Sequence, residues 1–141
     1  MMVTLAQAQA IIEAAFADGA ARGLKPLTVA VLDAGGHLVA LERQDGSSTL
    51  RPQIAIAKAN GALALGLSSR RIGEMAVERP TFIAAVSGLA PQGMVPAAGG
   101  VLIDDGAGAL IGAVGITGDT SDNDEACAFA GLAAAGLTPR G

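Results

Sequence analysis

The sequence predicts an α+β fold in which an antiparallel sheet of four to five strands is flanked by helices. Two segments each contain an apolar strand, an aspartate, a glycine-containing turn and an apolar return strand, which is the pattern of a β-hairpin. Alanine-rich segments with helical spacing of their apolar residues precede, separate and follow the two hairpins. Because strands and helices do not alternate one by one, the pattern does not favour a parallel sheet.

The two hairpins supply four predicted strands. They lie at residues 27–33, 37–43, 101–105 and 109–117. The first of these is apolar and β-branched throughout, which predicts a strand that is buried on both faces. The turns at 34–36 and 106–108 contain glycines, which accept the backbone angles that tight turns need. A fifth strand is not evident from the sequence.

The helices are predicted from their start and stop signals. They run from Thr4 to Gly23, from Pro52 to Leu65 or Gly66, from Ser68 to Met75, briefly after Pro80, and from Ser121 to Ala135. Thr4 with Gln7 matches the capping-box pattern, in which two side chains satisfy the first N–H groups of a helix. Ser121 with Asp124 matches it again. The composition of residues 90–100 predicts a loop.

The composition predicts one domain over residues 1–141 with a core of small aliphatic side chains. Hydrophobic residues make up 51% of the chain but aromatic residues only 2%. Small side chains each bury little apolar area, at roughly 25 cal/mol per Å². We therefore expect further apolar area to be buried in a homo-oligomer.

Charge and patterning disfavour several classes of partner. The formal net charge is −4 and no cluster of lysine and arginine is present, so nucleic acid is not an expected partner. The longest apolar stretches are shorter than the roughly 20 residues that span a membrane. The first residues lack a basic segment and include Glu13, which is not typical of a secretory signal. With a single cysteine as well, the cytoplasm is the expected location.

Lys58 is the most informative charged residue. Its neighbours on the predicted helix, Ile54 and Leu65, are apolar, whereas Gln53 and Asn60 mark the polar face and point away from it. A lysine on an apolar stripe is either a pocket residue that binds an anion with a lowered pKa, or a packed stem whose ammonium reaches water. The sequence leaves both alternatives open.

Two arginines and the only histidine are candidate cofactor-binding residues. Arg51 stands just before the second long helix, and Arg43 ends a strand just before Asp45. The planar guanidinium fork suits carboxylates, including those of haem. His37 follows the first glycine turn, where it is either a haem ligand or an exposed strand residue.

The densest polar cluster, residues 118–126, contains four carboxylates: Asp119, Asp122, Asp124 and Glu125. Oxygen ligands of this kind bind hard cations, but acidic residues in the first turn of a helix also stabilise its positive end. Capping explains the spacing better, and we assign no metal site.

Four blocks occur in an order and spacing that resemble one family. They are VAVLDAGGHLVALERQDG, RPQIAIAKANGALALG, AAGGVLI and IGAVGITGDTSDNDEACAFAG. Together they look like the GlcG/HbpS family (DUF336, the haem-degrading domain), to which the C-terminal domain of some PduO-type corrinoid proteins is related. The resemblance covers nearly the whole chain. It implies a profilin-like sheet, usually of five strands, and assembly into dimers or larger oligomers such as octamers.

The resemblance also maps family positions onto this chain. The signature lysine of the A-x-x-K-A helix corresponds to Lys58, the R-x-D-G segment to Arg43 and Asp45, and the D-E pair to Asp124 and Glu125. It implies a small-ligand binding protein, with haem as the cofactor.

The residues assigned to the cofactor are His37, Arg43, Arg51 and Lys58. The alternative is a cytoplasmic isomerase, tautomerase or hydratase that acts on a small organic acid or carbonyl metabolite in a catabolic pathway. Its catalytic residues would be Lys58, as acid/base or anion anchor, with Asp124 and Glu125.

Overall fold

The computed structural model describes all of residues 1–141. The chain folds into five helices and five strands. In chain order they are α1 (Leu5–Ala21), β1 (Thr28–Asp33), β2 (Leu38–Arg43), α2 (Arg51–Leu65), α3 (Ser69–Glu78), α4 (Pro80–Ser87), β3 (Gly100–Asp104), β4 (Leu110–Thr117), α5 (Ser121–Ala134) and β5 (Thr138–Arg140). The predicted α+β class and both hairpins are confirmed. No helix combines the length and apolarity needed to cross a lipid bilayer.

The five strands form one sheet in the order β2-β1-β4-β3-β5, and every neighbouring pair is antiparallel. The central pair, β1 with β4, joins the two hairpins. The strand that the sequence did not reveal, β5, has only three residues and pairs with the outer edge of β3. A segment this short has no periodicity to recognise. Its partner strand is also distant along the chain, since Arg140 of β5 contacts Asp104 of β3, which is 36 residues earlier.

Helices cover both faces of this sheet. Alternate residues of β1, such as Val29 and Val31, pack with α1 and α5 in a cluster of 17 buried residues. The residues between them face α2, where Leu32 joins a second cluster with Leu102 and Ala113. Side chains alternate across a strand, so these two clusters confirm that β1 is buried on both faces.

Helix α2 lies directly against a row of very small residues. Ala30, Gly115 and Gly100 are register partners across β1, β4 and β3. A Cβ atom built on Gly115 would lie 2.0 Å from the carbonyl oxygen of Ala55, and one on Gly100 would lie 2.3 Å from that of Lys58. The backbone of α2 therefore touches the backbone of the sheet at Gly115 and Gly100. This contact is possible only because these two residues have no side chains.

Some predicted helix ends need correction. The capping box of Thr4 and Gln7 is confirmed, with both reciprocal hydrogen bonds present. The predicted box at Ser121 is wrong, because the hydroxyl of the preceding residue, Thr120, caps α5 by accepting from the backbone N–H of Asn123. Helix α3 continues to Glu78 rather than ending at Met75, as the hydroxyl of Ser68 caps a longer segment.

Asn60 does not mark a solvent-facing side of α2 as predicted. It is 7% exposed, and its amide donates to the carbonyl oxygen of Gly93 at 3.1 Å. The loop between α4 and β3 folds back over this side of the helix. The polar residue there satisfies a loop carbonyl instead of facing water.

Gly115→Ala should test the contact between α2 and the sheet. The added methyl group would overlap the Ala55 carbonyl, so we expect the free energy of unfolding to fall by at least about 2 kcal/mol. Urea denaturation measures this change. Gly88→Ala is the matched control, because the nearest atom to its new Cβ would be 3.5 Å away, an ordinary contact. Equal midpoints for the two variants would contradict the close packing.

Candidate functional site

A buried ion pair lies between α2 and the start of α5. Lys58 is 3% exposed, and its ammonium donates to the carbonyl oxygen of Ile116 at 2.9 Å and to Asp124 Oδ2 at 3.3 Å. The other carboxylate oxygen of Asp124 accepts from the backbone N–H of Asp119 at 3.0 Å. The ammonium therefore does not reach water, and the alternative of a stem with an exposed charge is wrong.

Burial controls the electrostatics of this pair. Desolvation lowers the pKa of Lys58, and the nearby charge of Asp124 opposes that shift. Desolvation likewise raises the pKa of Asp124, while the hydrogen bond from Asp119 and the charge of Lys58 oppose it. The positive charge of Arg51 further lowers the pKa of Lys58. Each partner thus makes the burial of the other tolerable.

Backbone encloses the Lys58 ammonium. A Cβ atom on Gly99, which has a φ of +129°, would lie 2.9 Å from Nζ. None of the four surface cavities is lined by Lys58. An acid/base role requires hydrogen-bond reach to a substrate. In this structure the side chain holds α5 to α2 and the sheet.

Arg51 and Arg43 lie at one end of the sheet. Arg51 donates to the hydroxyl of Thr117 at 2.7 Å and to that of Ser48 at 3.1 Å, and it lines a cavity of about 220 Å³. Arg43 lines a neighbouring cavity of about 590 Å³. Lys25 lines both cavities, so the three cations surround one corner of the molecule.

His37 lies at the opposite end. Its side chain is 81% exposed, and its Nδ1 is 3.2 Å from Asp33 Oδ1. That oxygen also accepts from the backbone N–H groups of His37 and Gly35. These hydrogen bonds, the one from the His37 backbone above all, lower the pKa of Asp33. Arg43 pairs with the first residue of β1, whereas Asp33 is the last, about 17 Å away at the usual rise of a strand.

The two acidic residues assigned to catalysis point in different directions. Asp124 faces inward to Lys58, whereas Glu125 pairs with Arg70, whose Nε is 2.9 Å from Oε1. Arg70 also contacts Asp122. Sequence reasoning missed Arg70, because it lies 55 residues from Glu125 and no local pattern connects the two.

The acidic run therefore divides among separate partners. Asp119 accepts from the backbone N–H of Lys25 and Thr120 and from the amide of Asn123, which lowers its pKa to about 2. No three His, Cys, Asp or Glu side chains converge to hold a metal ion. The structure brings Lys58, Asp124 and Arg51 near one another and does not bring His37 to them.

The family of the chain follows from its match to known proteins. The family model described as haem degrading protein HbpS-like matches residues 3–133, so the chain belongs to this family. No curated protein matches it significantly. Three similar solved structures are PduOC in complex with heme, HbpS, and the protein ORFY of Klebsiella pneumoniae, which carries the DUF336 family model.

The similarity to these structures is global. PduOC is 19% identical with a TM-score of 0.87, and the alignment covers 100% of both chains. HbpS is 25% identical with a TM-score of 0.80, covering 94% of this chain and 89% of its own. ORFY is 24% identical with a TM-score of 0.83, covering 94% and 90%. The family model confirms the predicted family, and the three structures agree with the profilin-like label for the fold.

Lys58→Met and Asp124→Leu should each lower the free energy of unfolding, and their effects should not be additive in the double variant. Either single change leaves a buried charge without its partner, which costs about 3–5 kcal/mol. We expect the double variant to lose less than the sum of the two single losses, as measured by urea denaturation. The exposed pair Arg71 and Glu78, 3.2 Å apart, is the control and should show coupling of at most about 1 kcal/mol. Additive losses at Lys58 and Asp124 would contradict a buried ion pair.

Asp119→Asn should flatten the acid dependence of stability. The folded carboxyl has a pKa of about 2 against 3.8 for an ordinary aspartate, so the unfolded state binds more protons between these values. Its stabilisation is complete above pH 3.8 and is lost as the pH falls towards about 2. We expect the variant to be less stable than wild type at neutral pH and the two curves to converge in acid. Glu13→Gln, which removes an exposed carboxylate without a hydrogen-bond partner, should keep the wild-type profile.

Proposed function

We propose that this protein binds haem and that His37 is the iron ligand. The observation that carries the proposal is membership of the HbpS-like family, whose model matches residues 3–133. A protein of the same fold, PduOC, has been solved as a heme complex, which supports this choice of ligand. The role of haem in this protein's biology is a separate matter.

The chemistry of His37 fits an axial ligand. Its Nδ1 faces the carboxylate of Asp33, and this hydrogen bond selects the tautomer that leaves a lone pair on Nε2. A metal-binding histidine commonly donates its other ring N–H to a carboxylate in this way, which fixes the ring and strengthens the ligand. The imidazole is also accessible, since 81% of the side chain is exposed. Bound haem would supply one-electron and oxygen chemistry at its iron.

Apolar surface lies on the loop that contacts the turn before His37. Gln92 donates to the carbonyl oxygen of Gly36 at 2.6 Å, so this loop is held against the turn. The same loop lines an apolar cavity of about 280 Å³, together with residues of α2 and α4 such as Leu65 and Val86. A porphyrin ring requires apolar surface beside its ligand. The loop thus supports the assignment of this end of the molecule to haem.

No contact in the structure favours the enzymatic alternative. An isomerase, tautomerase or hydratase would need Lys58 within reach of its substrate, and that side chain is enclosed. Glu125, assigned to assist it, is paired with Arg70 instead. We therefore assign Lys58 and Asp124 to the stability of the fold.

His37→Ala should abolish the specific haem complex. Titration of haem into the wild-type protein should produce a Soret band of a ligated iron, and the variant should lose that band or bind at least about tenfold more weakly. Asp33→Asn should weaken binding by about 10–100-fold, because the carboxylate orients the ring.

The second hairpin offers a matched control for Asp33. Asp104 accepts from the backbone N–H groups two and four residues later, as Asp33 does, but no histidine is present there. Asp104→Asn should therefore bind haem like the wild type. Unchanged haem binding by His37→Ala would refute this assignment.

A further inference from the structure

A polar cavity at the end of the sheet opposite His37 takes no part in the proposed haem site. We propose that it binds a small oxyanion, a carboxylate or a phosphate, through Arg51 and Lys25. The cavity has a volume of about 220 Å³. Its polar lining consists of Lys25, Ser47, Ser48 and Arg51, with the backbone of Gly46 and Gly118.

Arg51 is held in place but not neutralised. Thr117 and Ser48 each accept one of its hydrogen bonds, and no carboxylate lies within ion-pair distance of the guanidinium. A guanidinium has five N–H donors, so three of them have no protein acceptor. A fork fixed by two neutral hydroxyls and still carrying free donors is suited to a planar or tetrahedral oxyanion.

Lys25 adds a second positive charge at the same cavity. Its backbone N–H binds the carboxylate of Asp119, which keeps that segment in place, while its ammonium forms no ion pair. Two other carboxylates, Glu42 and Asp45, line the neighbouring cavity with Arg43. No carboxylate lines the smaller cavity itself. Two cations and no carboxylate therefore line the cavity, and the carboxylate of Asp119 lies behind the Lys25 backbone.

One side-chain oxygen of the cavity lining is buried and lacks a hydrogen-bond partner. It is the Ser47 hydroxyl, on a residue that lines the cavity beside Arg51. Leaving a buried polar group unpaired costs about 1–3 kcal/mol, so such a group calls for an explanation. A polar ligand or its bound water at this cavity would supply the missing partner of Ser47.

The start of α2 reinforces the positive potential. Arg51 is the first residue of the helix, and the preceding Leu50 provides no side-chain cap. The backbone N–H of Arg51 is bonded to the Ser48 carbonyl and Pro52 has none, so the helix contributes through its aligned peptide dipoles, which attract anions to its N-terminus. Ligand pockets for drug-sized molecules start at roughly 300 Å³, so a cavity of this size suits an anion of only a few heavy atoms.

The test is a titration of the isotope-labelled full chain, followed by the chemical shifts of its backbone amides. Sodium propionate and inorganic phosphate are added separately. We expect saturable shifts at residues 46–51 and 118 with at least one of them. Arg51→Gln should raise its Kd at least tenfold, and Lys25→Gln, which changes an exposed side chain, should raise it in the same direction. Arg79→Gln is the control, since that arginine stacks on Phe82 elsewhere and should leave the Kd unchanged.

Anion and haem titrations of these variants show whether the cavity binds a free anion or a carboxylate of haem. Anion binding that persists in His37→Ala, and haem affinity that is unchanged in Arg51→Gln, would establish two separate sites. Displacement of the anion by haem, with weaker haem binding in Arg51→Gln, would show that the cavity serves haem and would overturn the proposal. No saturable shift with either anion, or equal affinity in Arg51→Gln, Lys25→Gln and wild type, would overturn it as well.

Discussion

The close approach of α2 to the sheet is the contact on which the rest of the structure depends. It requires a row of Ala30, Gly115 and Gly100 across three strands, because any larger side chain would separate the two layers. The requirement agrees with a chain in which 51% of the residues are hydrophobic but only 2% are aromatic. Close packing of small groups replaces the area that large side chains would bury, and dispersion between touching backbones adds to the gain.

That approach has an electrostatic consequence. Lys58 lies on α2 at the level of Gly100, so its stem enters the layer between helix and sheet. A buried ammonium needs a carboxylate and further acceptors, which Asp124 and the Ile116 carbonyl provide. The other oxygen of Asp124 accepts from the backbone N–H of Asp119, and the hydroxyl of Thr120, one residue earlier than the sequence pattern predicts, caps α5. The ion pair thus ties the first turn of α5 to α2.

Local patterns predicted most of the fold and little of the site. Hairpins and helices have short-range signals, and the capping box of Thr4 and Gln7 is one that the structure confirms. The pairing of Arg70 with Glu125 and of Lys58 with Asp124 spans more than 50 residues, and nothing in a single sequence encodes such a pair. The position of Lys58 on an apolar stripe left open whether its ammonium is buried, and it did not identify the partner. Strand β5 was missed for the same reason, since its order comes from pairing with β3 rather than from its own residues.

The two hairpin turns have the same aspartate hydrogen bonds but differ in the residue that follows them. Asp33 and Asp104 each accept backbone N–H groups two and four residues later, so both carboxylates are needed to shape their turns. Four residues after the first aspartate stands His37, whereas the second has Gly108. At the first turn the same oxygen that orders the backbone also orients an imidazole, without any additional residue. The pairing of an imidazole with a carboxylate, on which the proposed haem site rests, therefore differs by one residue from the turn of the second hairpin, which is why the fold alone does not identify a ligand.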